Sequence, residues 1–171
     1  MLPAASLFHR NIGPAAFLLA VIALPGCHRA HEGSMSTKEQ ARAIAKLRSA
    51  YAAFNRDDIP AAVEVLAPDI DWSEPVEFPG GGTYHGRAEV AGYLTQSRAG
   101  WAEGSSEPAQ FIVHGDRIVV YVDAHFRPKD NASWTDVHLA DVYTFRAGTP
   151  IAMRAFADRA EALRWVGVEN H

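Results

Sequence analysis

The amino-acid sequence predicts an α+β domain in which N-terminal helices cover a curved antiparallel sheet. Three observations carry that expectation. Apolar residues recur at three- and four-residue intervals early in the chain. They alternate with polar residues later, and glycine-containing turn dipeptides separate the alternating runs.

Ser36-Thr37-Lys38-Glu39 has the spacing of a capping box, a hydroxyl three residues before a glutamate, and so should start the first helix. Ile44, Leu47, Tyr51 and Phe54 then mark one buried stripe. Asn55-Arg56-Asp57-Asp58 breaks this helix, and Pro60 fits the first turn of the next, where its missing N–H costs nothing; Ile59, Val63 and Leu66 form the inner face there. A short strand is expected around Trp72, a flexible loop at Gly80-Gly81-Gly82, and a helix from Arg87 to Trp101 with Val90, Tyr93, Leu94 and Trp101 at helical spacing. From Ala109 onward the period becomes two, as in Ile118, Val120, Val122, Ala124 and Phe126, and further strands follow around Asp141 and Met153. Gly115-Asp116 and Ala147-Gly148 read as hairpin turns, and Asp158 to Val166 as a closing helix.

Two carboxylates interrupt this pattern. Successive strand side chains alternate faces, which puts Glu74 in line with Ile70, Trp72 and Val76, and Asp141 in line with Val137, Leu139, Tyr143 and Phe145. Each is the polar exception on an apolar stripe. A carboxyl held against hydrocarbon finds a partner or rises in pKa toward the range used in acid and base catalysis. A structural role remains open for both: Glu74 bonded to backbone or to Arg154, and Asp141 bonded to Tyr51 or Tyr143. Phe54, Trp72, Trp101 and Tyr143 are candidate walls of a pocket for a small apolar molecule, or else plain core.

Composition narrows the choices. The chain has 171 residues, 48% hydrophobic and 21% charged, so one domain with a real core is expected. A formal net charge of -4 without any run of Lys or Arg offers no footprint for nucleic acid. A single cysteine, Cys27, excludes an internal disulfide and a thiolate cluster. Of the eight histidines, His125 and His138 fall off the apolar parity of their strands, so no metal site is expected; nor is any cofactor, since no glycine-rich phosphate loop is present.

Residues 1–27 combine His9-Arg10, an apolar run from Ala15 to Leu24 and the box Leu24-Pro25-Gly26-Cys27, which resembles a bacterial lipoprotein signal. Lipidation of Cys27, with residues 28–35 as a tether and 36–169 as the domain, would make an exported protein whose one membrane contact is the anchor. The alternative is a cytoplasmic protein starting at Met35.

Taken together, Ala53-Phe54-Asn55-Arg56-Asp57, Val65-Leu66-Ala67-Pro68-Asp69, Glu74-Pro75, Gly82-Thr83-Tyr84-His85-Gly86-Arg87, Asp141-Val142-Tyr143-Thr144-Phe145-Arg146 and Met153-Arg154 resemble the nuclear transport factor 2 superfamily, in its branch of SnoaL-like polyketide cyclases and ketosteroid isomerases. The resemblance runs from Thr37 to about Val166. It implies a cone-shaped sheet of nuclear transport factor 2-like or cystatin-like type, with an isomerase or cyclase activity or a noncatalytic binding or dimerisation role. It puts Glu74 at the place of the isomerases' proton-shuttling acid, and Asp141 at the place of the protonated acid that donates to the enolate. The isomerases' tyrosine would fall near Ala50, so Tyr51, about a hundred degrees around the helix, leaves that donor missing. Leu139 stands where related epoxide hydrolases need an arginine, which disfavours their triad. Homodimers are common in the superfamily, and the mixed face of His138, Ala140, Val142 and Thr144 suggests one here.

Overall fold

The computed structural model describes residues 34–168; the candidate leader and Cys27 lie outside them. The chain runs through α1 (Thr37–Asn55), α2 (Ile59–Glu64), β1 (Asp71–Glu74), β2 (Gly82–His85), α3 (Gly86–Ala99), β3 (Trp101–His114), β4 (Arg117–Pro128), β5 (Thr135–Arg146), β6 (Thr149–Phe156) and α4 (Arg159–Val166). The capping box forms as the spacing predicts, with Ser36 N–H donating to Glu39 at 2.8 Å and the Ser36 hydroxyl accepting from Glu39 N–H. Asp58 caps α2 through Ala61 N–H, and Asp158 caps α4.

The six strands form one curved sheet in the order β2-β1-β6-β5-β4-β3. Every pair is antiparallel except β1 with β6, which is parallel. Hairpin signals describe only sequential neighbours, so this pairing of the first strand with the last had no local mark. Both predicted turns form, with Gly115, Ala147 and Gly148 at positive φ.

The region from Gly82 to Ala109 departs from expectation. Gly82–His85 is a strand, α3 ends at Ala99, and Trp101 opens β3 rather than closing a helix. The first half of β3 was hidden because it carries Gly104 and Pro108. Both lie at or beside register shifts against β4, and β3 is an edge strand, where proline is tolerated. Gly104 has φ 131°, and a Cβ there would meet His125 O and Phe126 Cα at 2.4 Å. Gly104→Ala should therefore cost about 2 kcal/mol or more in urea denaturation; an unchanged midpoint would show that β3 can shift away freely.

Helices α1–α3 pack on the concave face, where Leu47, Ile70, Val90, Ile118 and Val120 are fully buried. The convex face is covered by α4: Ala162, Leu163 and Val166 lie on Val119, Ala140, Val142 and Phe156. Ala140 and Val142, read from the sequence as an open pairing face, are 0% and 1% exposed for this reason. The homodimer expectation thus loses the observation that suggested it.

Candidate active site

Strand parity delivers both carboxylates to the concave face. Asp141 sits mid-strand in β5, opposite Val120 of β4 and Ala155 of β6, and is 9% exposed among apolar neighbours. Glu74 ends β1 and shares its side with Trp72, whose indole Nε1 donates to Glu74 Oε1 at 2.7 Å. Val76 does not continue that stripe. Pro75 ends the strand and leaves Val76 87% exposed. Arg154, the possible partner of Glu74, points the other way from Met153 and lies over Phe156 and Trp165.

Both acids face one cavity of about 810 Å³, whose lining also includes Phe54, Trp72, Trp101 and Tyr143. Trp101 stacks on Phe126 at 4.4 Å and 7°, and Phe54 meets Trp101 edge-on at 5.6 Å. Trp72 packs edge-on against Tyr143. Leu139 lines the cavity and no arginine does, so the epoxide hydrolase set of side chains is not assembled there.

Tyr51 supplies the bond that the structural alternative for Asp141 expected. Its hydroxyl donates to Asp141 Oδ2 at 2.5 Å and accepts from the Tyr143 hydroxyl at 3.4 Å. Helix α1 presents both Ala50 and Tyr51 to the cavity, and the long phenol reaches a point that backbone angle alone placed off-axis. Tyr93 was read from the sequence as a helix core position only. Its hydroxyl lowers the pKa of Glu74 by hydrogen bonding, and its ring stacks on Tyr84, which bonds the Gly80 carbonyl. The helical spacing of α3 marked Tyr93 as inward without indicating an acid across from it.

Burial governs the electrostatics. Glu74 is pushed up to about 8, by desolvation first and then by the charge of Asp141, while bonds from Trp72 and Tyr93 oppose the rise. Asp141 is pushed up to about 6 by desolvation, against the Tyr51 hydrogen bond. The same burial, with Asp141 beside them, raises Tyr51 and Tyr143 well above the ordinary phenol range. The acids titrate as a pair that holds one proton around neutrality.

A pH dependence follows. Both carboxyls bind protons more tightly folded than unfolded, so their contribution to stability is full below about pH 4 and is lost as pH rises through about 6 and then about 8. Between pH 5.5 and 9 the thermal midpoint should fall, reflecting a loss of stability on the order of a few kcal/mol. Glu74→Gln should flatten that slope; a wild-type midpoint constant over this window would mean that neither acid is perturbed.

Among the described residues no group of three or more His, Cys, Asp or Glu is arranged to hold a metal ion. His125 pairs with Asp136 at 2.7 Å and His138 with Asp123 at 2.6 Å, both on exposed side chains.

A family model described as SnoaL-like domain matches residues 47–152, a span that includes both acids. The chain belongs to the SnoaL-like family. The fold is that of nuclear transport factor 2-like proteins. A nuclear transport factor 2-like protein of unknown function from Burkholderia pseudomallei is 29% identical, with 77% of this chain and 98% of that one covered at a TM-score of 0.62. TerC, co-crystallized with polyporic acid, is 22% identical over 74% and 98% of the two chains, with a TM-score of 0.61. SalBIII, an epoxide hydrolase/cyclase-like enzyme in pyran ring formation in the polyether salinomycin, is 22% identical over 69% and 91%, with a TM-score of 0.56. No curated protein matches this SnoaL-like chain.

Proposed function

We propose that this SnoaL-like domain is a cofactor-free acid and base enzyme, an isomerase or cyclase that moves a proton on a small apolar carbonyl compound. The observation that carries this reading is the pairing of a buried and a half-buried carboxyl, both raised in pKa, in one apolar cavity. Asp141, Tyr51 and Tyr143 gather three hydroxylic groups at one point, which suits an oxygen that becomes an enolate. Glu74 stands apart from that cluster with an indole N–H holding one oxygen, which suits a base that takes a proton beside the carbonyl and returns it elsewhere. Near neutrality the pair holds one proton, which provides one ionised and one protonated carboxyl. When the ligand oxygen takes the Tyr51 hydroxyl, Asp141 loses the bond that favours its charge, which favours the shared proton on Asp141 and leaves Glu74 ionised.

The rival is a noncatalytic module holding an apolar ligand in the same cavity, which the hydrogen bond already satisfying Asp141 favours. Solvent exchange separates the two. Cyclic ketones incubated with the protein in deuterated water should gain deuterium beside the carbonyl, read by NMR. Ketones that bind without exchange would leave the binding module.

A further inference from the structure

Among the described residues the cavity lining holds the buried Asp141, the half-buried Glu74 and no buried base. Among the described residues its lining contains one cationic side chain, Lys129, exposed just after the last residue of β4 and next to the exposed Asp130. The groups that face Glu74 and Asp141 from each packed element are neutral: Tyr51 from α1, Trp72 from β1, Tyr93 from α3 and Tyr143 from β5. Helix α2 brings only the apolar Ile59, Ala62 and Val63 to this region, and strand β6 only Met153 and Ala155. Arg98 of α3 lies 5.5 Å from the Trp101 ring and is not part of the lining. A carboxylate held away from water without a cation is expensive, and a cation supplied from outside relieves that cost. The walls suit such a visitor, since Phe54, Trp101 and Phe126 present aromatic surface, which attracts organic cations as well as apolar groups.

We infer that the cavity accepts an organic amine in its protonated form, an ammonium group on an apolar body, with the charge placed between Glu74 and Asp141. The inference rests on the reading of these two acids as ligand-facing, and it goes beyond that reading by naming a second ligand class. An ammonium N–H donates to a carboxylate oxygen while the positive charge offsets both acids, and the apolar body fills the space toward Trp101. Entry of the cation favours loss of the proton that the pair holds, so binding releases a proton to solvent and tightens as pH rises. A ligand that accepts a hydrogen bond from Asp141 has the opposite dependence.

Two probes of matched shape test this. N,N-dimethylbenzylamine carries a positive charge from pH 5 to pH 8, and isobutylbenzene is its neutral carbon analogue. At pH 8 the amine should bind at least about tenfold tighter than the hydrocarbon, with that ratio falling toward one at pH 5. Calorimetry in buffers of different ionisation enthalpy should show proton release on amine binding. The double variant E74Q/D141N, checked for folding by circular dichroism, should bind both probes alike. An amine with no advantage at pH 8, or an advantage that the double variant retains, would overturn the inference. Ketone exchange without amine preference rejects the amine and leaves the proposed enzyme. Amine preference without ketone exchange supports the amine and rejects the enzyme.

Discussion

Glu74→Gln should lower turnover of any ketone that the domain processes by about 10²-fold or more, while the ligand still binds. The amide keeps the shape of the side chain and can still engage the Trp72 indole, which donates to Glu74 at 2.7 Å. What it removes is the ability to accept a proton. The loss belongs in kcat, because the group acts on the reacting bond and contributes little to holding the apolar body. The pH profile of the wild type supplies a second readout. Activity that requires one ionised and one protonated carboxyl should rise through about pH 6 and fall through about pH 8, since those are the steps at which the pair titrates. A Glu74→Gln protein with wild-type exchange rates would remove Glu74 from the chemistry.

Asp141 should show a graded series. Asp141→Asn retains a donor that can reach the ligand oxygen and should cost less than Asp141→Ala, which leaves the oxygen with the tyrosines alone; a loss of about 10²-fold or more is expected for the alanine variant. Burial complicates the alanine variant, because the Tyr51 hydroxyl loses its acceptor at 2.5 Å. Tyr51→Phe resolves that ambiguity. It leaves Asp141 in place and removes one donor, so it should lower turnover by less than Asp141→Ala. If the asparagine and alanine variants are equally slow although both are folded, Asp141 acts as something other than a donor.

The carboxylate positions were legible in the sequence because strand parity is local. A residue two positions from Trp72, or from Leu139 and Tyr143, must share their face, and that face is the concave one. The capping box, the α2 proline and both glycine turns were legible for the same reason, each being fixed by contacts within a few residues. Parity failed at Val76, where Pro75 ends the strand, and it had nothing to act on in the first half of β3, where Gly104 and Pro108 carry no alternation. The convex face misled in a different way. Ala140 and Val142 looked like a surface awaiting a partner, and α4 of the same chain covers them.

By itself, then, the sequence determined the element types outside the stretch from Gly82 to Ala109, the turns, the two inward acids and the SnoaL-like resemblance, all properties carried by neighbours along the chain. The tertiary structure alone decided that β1 lies parallel to β6, that Tyr51 reaches Asp141, that Tyr93 sits near Glu74, and that both acids open onto one cavity. Those facts join residues up to 92 positions apart, as in the Tyr51–Tyr143 contact. The pKa of a carboxyl depends on how much water such distant neighbours exclude, and a linear pattern carries no measure of that.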